Sequence, residues 1–540
     1  MQQNNLAVRD VAARKVAARK VAVCKVAARL RDLVLVGGVL MGVMLAGGVL
    51  TGRLLRAADA AVPASSPPMI EPSLVIRPPA REVLRFGESI AACGNRIAIT
   101  APTDGDNGPE PGSVSIMKLA VQADGSIASF AEAAFSTTRM GDHFGCSVAL
   151  ARDGSSGVWM AAVGADRAAE VTGCVDLFES SASSDGTLAW SSSGTLTAPR
   201  PQIGAGFGGA VAFAPNGMNL AVAAMRQNFG LMADAGCVHM FRQASVVLSN
   251  GPMDANTPAL RSAQQRRWVH AQTIFAPAPQ LSGWFGSAIA LGEQWLAVGA
   301  PGENQLGGEP PGSAEISDVG VVHLYRRSSG DAYQYAGALR SPTPAAFASF
   351  GSALDLDGST LVVGEPGGRV DGVRCGKAWR FDLEDLDAHP SELVPPEPTT
   401  GLSFGGSVAV HGNCILVGAP GFDDVVHDGD GGGGGGSATI EDCGRSYLFE
   451  RSTAQLSAAL VAPASTPMAL FAYRVTLTSV PTDSTATKRT IAVSGHLFVE
   501  EESFGPSPGA ALFLLGSPLI SAADTTSRVS SSNPQWYRSQ

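Results

Sequence analysis

The glycines of residues 285–302 are the first candidates for chemistry in this chain of 540 residues. The stretch reads FGSAIALGEQWLAVGAPG, with glycines at positions 286, 292, 299 and 302. Such spacing could belong to a phosphate-binding loop, but that loop would occur once, whereas these glycines recur at matching places in six or seven units. The six glycines at 431–436 lack the Lys-Ser/Thr pair and the following helix of a nucleotide-binding loop. Both stretches therefore indicate turns or flexible loops.

Nucleophilic catalysis would require a Ser, Cys or Asp with a histidine placed to activate it. His239 and His323 occupy the same place in two of the repeated units. The other units have these residues there: Ser115, Asp176, Trp379, Tyr447 and Leu512. This diversity is typical of a sheet face that tolerates substitution. His143 follows Asp142 and is interpreted as a turn residue. Because no G-x-S-x-G or H-E-x-x-H motif occurs either, no catalytic residue is predicted, and we expect a protein that is not an enzyme.

The cysteines do not identify a compartment or a metal. Cys24 lies near the N-terminus and leaves seven others: Cys93, Cys146, Cys174, Cys237, Cys375, Cys414 and Cys443. An odd number cannot pair completely within one chain, so disulfide pairing stays open. The absence of C-x-x-C pairs argues against the common zinc and redox motifs.

A Phe-Gly pair followed by a short apolar alternation recurs roughly every 60 residues. The copies begin at Phe86, Phe144, Phe207, Phe285, Phe350 and Phe404, with a degraded seventh copy at Phe471. Upstream of nearly every copy lies a short apolar segment ending in Pro. Downstream lie a second run that closes in Ala-Pro or a variant, and a third run that begins with Gly. The chain thus contains seven units of similar construction.

The runs in each unit are predicted to be β-strands. They are four to seven residues long, rich in β-branched or aromatic residues, and bounded by Gly or Pro. Four short strands in each of seven units predict an all-β fold, a seven-bladed β-propeller of four-stranded blades. The first unit starts with a strand near residues 74–77, and the last ends with its third strand at 510–515. We therefore expect the N-terminal strand to complete the last blade and close the ring.

Three motifs resemble the FG-GAP repeats of integrin α-subunit-type propellers. They are FG at 285–286, GAP at 299–301 and GVVHLY at 320–325, and the resemblance extends over residues 74–515. It implies a seven-bladed propeller on an extracytoplasmic surface that serves in adhesion or partner binding.

The resemblance also implies calcium, which many FG-GAP repeats bind in a D-x-D-x-D-G loop of the first hairpin. Calcium takes six to eight oxygen ligands, so several carboxylates must converge. Only Asp355 and Asp357, followed by Gly358, come near this pattern, and they lack a third acid. Asp423, Asp428 and Asp430 form another weak calcium candidate beside the glycines at 431–436, and the alternative there is a solvated surface loop. No confident metal site is predicted, and no cofactor is expected beyond this calcium possibility.

The charge and hydropathy divide the chain into segments. The net charge of −10 combines a basic segment, residues 1–32, with an acidic remainder, which argues against nucleic acid as a partner. Residues 33–51 are uncharged and long enough for a transmembrane or signal-anchor helix. The basic flank would stay cytoplasmic, so the rest of the chain would be translocated. Residues 52–73 are predicted to be an Ala/Pro/Ser-rich linker, and residues 516–540 a Ser/Thr-rich tail. Cleavage of the leader stays open, and an organelle transit sequence is the minor alternative.

We therefore expect a non-enzymatic, extracytoplasmic propeller, either membrane-anchored through residues 33–51 or secreted. Its partner would be a protein or a glycan bound by the loops at the rim of the propeller. The longest insertions lie at 244–268, 302–319 and 421–442. Two alternatives are a propeller lyase or hydrolase with its site at the central channel, and a purely architectural subunit of the cell envelope.

Overall fold

A computed structural model describes most of the predicted propeller. It covers residues 67–77, 85–103, 111–137, 141–182, 188–247, 264–305, 315–427, 437–463, 469–482, 485–496 and 509–515. The basic segment, the predicted anchor at 33–51, most of the linker, the tail at 516–540, Asp428 and Asp430 lie outside the described residues. Within the described residues, no helix combines the length and apolar character needed to cross a membrane.

The first strands of the chain precede blade 1: β1 (Met69–Ile70) and β2 (Leu74–Ile76). Blade 1 contains β3 (Ile90–Cys93), β4 (Arg96–Ala101), β5 (Ser113–Val121) and β6 (Ile127–Ser136). Blade 2 contains β7 (Phe144–Arg152), β8 (Trp159–Ala165), β9 (Cys174–Ala182) and β10 (Leu188–Leu196), with the single-turn helix α1 (Ala168–Val171) between β8 and β9. Blade 3 contains β11 (Phe207–Phe213), β12 (Asn219–Ala224), β13 (Cys237–Val247) and β14 (Gln264–Ile274). Blade 4 contains β15 (Ala288–Leu291), β16 (Trp295–Ala300), β17 (Val321–Arg327) and β18 (Tyr333–Leu339).

The remaining three blades continue the same order. Blade 5 contains β19 (Ala353–Asp357), β20 (Thr360–Glu365), β23 (Lys377–Asp382) and β24 (Ser391–Leu393), with the small hairpin β21 (Arg369–Val370) and β22 (Val373–Arg374) inserted. Blade 6 contains β25 (Ser407–His411), β26 (Cys414–Ala419), β29 (Arg445–Glu450) and β30 (Leu456–Val461), with β27 (Asp424–His427) and β28 (Ser437–Ile440) inserted. Blade 7 contains β31 (Arg474–Thr482), β32 (Thr485–His496) and β33 (Gly509–Leu515). The predicted all-β, seven-bladed architecture is confirmed.

Blade 7 receives its fourth strand from the other end of the chain. Strand β2 pairs antiparallel with β33, and Leu74 lies opposite Leu512. The innermost strands of neighbouring blades contact one another, including β31 of blade 7 with β3 of blade 1, so the ring is closed. Strand β1 pairs in parallel with β30, which adds a fifth strand to blade 6. The predicted closure by the N-terminal strand is confirmed.

The recurring glycines allow neighbouring blades to approach closely. A Cβ atom on Gly320 of blade 4 would lie 2.1 Å from the carbonyl oxygen of Phe350 in blade 5. A Cβ atom on Gly299 would lie 1.9 Å from the carbonyl oxygen of Gly351. Both distances are too short for any side chain. The Phe-Gly pair of one blade therefore lies directly against the second and third strands of the blade before it, which explains why the motif repeats.

The hydrophobic core is distributed between the blades. One buried cluster joins Trp295 and Leu324 of blade 4 to Phe350, Leu361 and Trp379 of blade 5. The phenylalanines of all seven Phe-Gly positions are at most 2% exposed. In the degraded seventh copy Ala472 replaces the glycine and adopts the same left-handed region, with a φ of 65°. The seventh copy thus keeps the backbone of the motif without its sequence.

The antiparallel order of each blade separates its connections between two faces. Loops between second and third strands, and connections between blades, lie on one face, which we call the loop face. Hairpins joining first to second and third to fourth strands lie on the other, the hairpin face. The insertions at 302–319 and 421–442 join second to third strands and so leave their blades on the loop face, whereas β13 and β14, which flank the insertion at 244–268, run toward the hairpin face. The three insertions therefore leave the blades on two different faces, and binding through rim loops stays a prediction.

Candidate functional site

The residue before each Phe-Gly position has a left-handed backbone in every blade. The φ values are 59° at Arg85, 61° at His143, 70° at Gly206, 51° at Trp284, 56° at Ser349, 53° at Ser403 and 47° at Leu470. This residue ends the connection between blades and starts the innermost strand, so it lies on the loop face. Non-glycine residues seldom adopt this region, and bulky ones least of all. The sequence gives no sign of this position, because its residue type varies from blade to blade.

Large apolar side chains are exposed on the loop face of blades 2–5. They belong to connections between blades and to loops between second and third strands. We call this set the apolar loop patch: Val171, Ile203, Phe229, Leu231, Met232, Leu281, Trp284 and Phe347. Leu231 is 97% exposed, Phe347 53% and Trp284 43%. Soluble monomers seldom expose large contiguous apolar areas without a binding role.

Backbone hydrogen bonds hold the segments of the patch together. The amide of Ser282 donates to the carbonyl of Ala233 at 2.9 Å, and the amide of Trp284 donates to Asp234 at 3.1 Å. The amide of Gly204 donates to Val171 at 2.8 Å on one side of the patch. The amide of Phe347 donates to Ser317 at 2.9 Å on the other. The exposed side chains are thus mounted on loops that are tied to one another.

Two aromatic residues of the patch have strained backbones. Trp284 has a φ of 51° and Phe347 a φ of 60°. A bulky residue in this region costs about 1–3 kcal/mol, and such strain concentrates at functional sites. Because both side chains are substantially exposed, burial in the core does not compensate for this cost. Because the position before Phe-Gly is left-handed in every blade, the backbone of Trp284 belongs to the repeat, and it is exposure that makes the two side chains candidates for contact with a ligand.

The first calcium candidate lies at the junction between blades 5 and 6. Asp355 Oδ2 accepts a hydrogen bond from the amide of Val410 at 2.7 Å. Asp357 Oδ2 accepts from the amide of Gly412 and from Arg451 Nη1, both at 3.0 Å. Burial raises the pKa of Asp355 to about 6, although its backbone hydrogen bonds oppose this. These oxygens join two blades, which argues against a calcium site, and calcium here stays a prediction.

The second calcium candidate is only partly described. Asp423 is exposed, and its Oδ1 accepts a hydrogen bond from the amide of Asp442 at 2.8 Å. Its neighbour Asp424 lies 3.6 Å from Arg445 Nη2. Asp428 and Asp430 lie outside the described residues, so this calcium candidate stays a prediction.

The matching histidines of blades 3 and 4 are buried within their blades. His239 Nδ1 lies 3.0 Å from Thr273 Oγ1, and burial lowers the pKa of His239 to about 4, with His270 contributing. His323 Nε2 lies 2.9 Å from Glu303 Oε1. Each ring also lies 5.5 Å from the motif phenylalanine of its own blade. These contacts are consistent with a structural role for the position.

His143 belongs to a polar cluster that the sequence did not reveal. Its Nδ1 lies 2.8 Å from Asp166 Oδ1, and Arg226 Nη2 donates to Asp166 Oδ2 at 3.1 Å. Burial alone would raise the pKa of Asp166, but the hydrogen bond from His143 and the charges of His143 and Arg226 lower it. Cys146 lies beside them. The only signal in the sequence is that Asp166 stands where four of the other six units have the proline of Gly-Ala-Pro.

No protein-family model matches the chain, and no curated protein is significantly similar to it.

Proposed function

We propose that this chain is a non-enzymatic propeller of the FG-GAP type that binds a protein partner through the apolar loop patch. The observation that carries the proposal is the concentration of exposed apolar side chains on the loop face of blades 2–5. Burial of such side chains is the main driving force for association between proteins. The patch includes Trp, Phe and Met, which are enriched where protein interfaces are most buried.

The composition of the patch favours a protein over a glycan. Sugar rings stack on aromatic faces, and Trp284, Phe229 and Phe347 could serve in this way. Leu231 and Leu281, however, are exposed aliphatic side chains that offer a sugar no stacking face and no hydrogen bond. Apolar side chains of a partner protein would bury all of them.

The proposed location rests on the leader. The basic residues 1–32 followed by the uncharged residues 33–51 support an anchored or secreted propeller on the extracytoplasmic side. Protease treatment of intact cells tests this topology. Digestion of the propeller without lysis is expected, and complete protection that ends on lysis would contradict a surface location.

Photo-cross-linking in intact cells tests the binding role. A photoreactive amino acid placed at Leu281 of the full chain is expected to give one discrete protein adduct, and the additional change Leu231→Glu should reduce it by roughly tenfold. The matched control is Leu386, which is 44% exposed but lies in the loop between β23 and β24 on the hairpin face. It should give no such adduct.

The outcomes separate the alternatives. An adduct whose mass falls on enzymatic deglycosylation to that of the propeller alone would identify a glycan partner. Adducts that are equal at Leu281 and Leu386, or absent at both, would contradict the proposed binding surface.

A further inference from the structure

Blade 2 departs from the other six blades at three positions that meet in space. In blade 2, His143 precedes the Phe-Gly pair and Cys146 follows it. Asp166 stands at the position of the proline in Gly-Ala-Pro. The corresponding residues of the other blades are Arg85, Glu88 and Pro102; Gly206, Gly209 and Met225; Trp284, Ser287 and Pro301; Ser349, Ser352 and Pro366; Ser403, Gly406 and Pro420; Leu470, Tyr473 and Leu497. Blade 2 alone has a nitrogen, a sulfur and an oxygen donor at these positions.

The backbone brings these three residues together. The register of β7 with β8 shifts between Phe144 and Ser147, and the resulting bulge contains Cys146. His143 precedes the bulge in a left-handed conformation, and Asp166 follows the last residue of β8. Bulges often redirect a side chain next to functional sites. One donor atom from each residue lies within 4.8 Å of the other two.

One nitrogen of the cluster has no partner among the described residues. His143 Nδ1 contacts Asp166, but His143 Nε2 is inaccessible to solvent and makes no hydrogen bond. The side chains of His143 and Asp166 are only 14% and 8% exposed. A buried polar atom without a partner requires an explanation, and a bound ion is one of the usual ones.

We propose that His143, Cys146 and Asp166 bind a zinc ion on the loop face of blade 2. Zinc accepts histidine nitrogen, cysteine sulfur and carboxylate oxygen together, whereas calcium takes oxygen ligands. Histidine would bind as the neutral imidazole. The S–H bond of Cys146 would break as the Zn–S bond forms, with the proton released to solvent. Three protein ligands leave a fourth position for water or for a group from a partner.

The contacts of the cluster suit a metal better than a cysteine nucleophile. The Cys146 thiol donates to the carbonyl oxygen of Gly208 at 3.5 Å, so it is directed to the backbone of blade 3. A metal ion bound at this sulfur would take the place of the thiol proton. Arg226 contacts Oδ2 of Asp166, so the ion would bind at Oδ1 and replace the present contact of Oδ1 with His143 Nδ1.

Titration of the full chain with Co²⁺, a spectroscopic substitute for zinc, tests the proposal. A thiolate ligand gives a charge-transfer absorption in the near ultraviolet, and competition with Zn²⁺ then gives the zinc affinity. We expect this absorption in the unaltered chain and its loss in Cys146→Ser. His143→Asn should weaken zinc binding by at least about tenfold. Asparagine is chosen because it tolerates the left-handed backbone at this position.

The matched control is Cys414→Ser, which changes another half-buried cysteine at the start of β26. It should bind cobalt and zinc like the unaltered chain. Urea unfolding of every variant without metal checks that each one is folded. Absence of cobalt and zinc binding in the unaltered chain would overturn the proposal. Retention of the absorption in folded Cys146→Ser would also overturn it, and so would its loss in Cys414→Ser.

Discussion

Glu365 shows how a single buried carboxyl group can affect the whole molecule. It replaces the alanine of Gly-Ala-Pro in blade 5 and is fully buried at the end of β20. Ser341 Oγ donates to both carboxyl oxygens at 3.0 Å, and Trp379 Nε1 donates to Oε2. Burial raises the pKa of Glu365 to about 7, although these hydrogen bonds and the charge of Lys377 oppose the rise.

This pKa predicts a stability that falls as pH rises. The unfolded chain releases the proton near 4.5, so between pH 4.5 and 7 the native state binds more protons than the unfolded state. The contribution to the free energy of unfolding is fully present below about pH 4.5 and is lost above about pH 7. Glu365→Gln, which stays neutral, should therefore gain about 3 kcal/mol relative to the unaltered chain between pH 4.5 and 8.

Urea unfolding at several pH values measures this difference. Glu384→Gln, which changes an exposed carboxyl group of the same blade, should show no comparable gain. The free energy of unfolding of Glu365→Gln could instead differ from that of the unaltered chain by the same amount at every pH. That result would show that Glu365 is ionised in the folded protein throughout this range.

The third strand of each of blades 1–6 is preceded by a glycine that determines how closely the next blade can approach. In blade 4 this glycine is Gly320, the residue before β17. Gly320 has a φ of 86°, and a Cβ there would meet the carbonyl oxygen of Phe350. Gly125 has a φ of 84° and no atom within 4 Å of such a Cβ. The two glycines share a backbone conformation and differ in their contact with a neighbouring blade.

Alanine substitution at the two positions separates these effects. Gly125→Ala should lower the free energy of unfolding by about 1–2 kcal/mol, the cost of a left-handed non-glycine residue. Gly320→Ala should lower it by at least about 2 kcal/mol more, because the backbone of blade 5 must move. Urea unfolding midpoints provide the comparison. Equal losses would mean that the recurring glycine serves its own turn and not the contact between blades.

For the whole molecule, ring closure by β2 predicts that loss of this strand destabilises the propeller. Deletion of residues 1–77 removes β1 and β2 and exposes the edge of β33, whereas deletion of residues 1–72 removes β1 alone and leaves β2 in place. The longer deletion should lower the thermal unfolding midpoint by several degrees and promote association through the free edge. Calorimetry and light scattering at several concentrations measure both effects. Identical behaviour of the two truncated chains would contradict a stabilising role for β2.

The sequence predicted the fold further than the site. The strands, the blade number and the closure follow from local patterns of glycine and apolar residues that repeat, and repetition makes weak signals reliable. Even Phe471, which lacks the following glycine, belongs to a recognisable seventh unit. The His143–Asp166 contact could not be predicted, because their segments meet only through the bulge and the left-handed turn. The apolar loop patch could not be predicted, because the exposure of Leu231 and Leu281 depends on how separate loops pack against one another.

The face occupied by each insertion was also beyond the sequence. Residues 244–268 read as a loop, because the pattern of β13 weakens before the strand ends. Only the pairing of Val247 with Gln264 shows that the strands continue. The face on which an insertion leaves its blade therefore depends on where the flanking strands end. The ends of these strands cannot be predicted from amino-acid composition alone.

Closure by β2 also has a consequence for the synthesis of the protein. The ribosome makes β2 early and its partner β33 on the order of 400 residues later, which takes roughly 20 to 80 s at ordinary elongation rates. Until then β2 is an apolar segment without a partner, available to chaperones or to other nascent chains. Every product of premature termination keeps this unpaired strand at its N-terminal end. The last strand made, β33, thus pairs with β2, one of the first, and a chain that stops before β33 leaves the edge of β2 open.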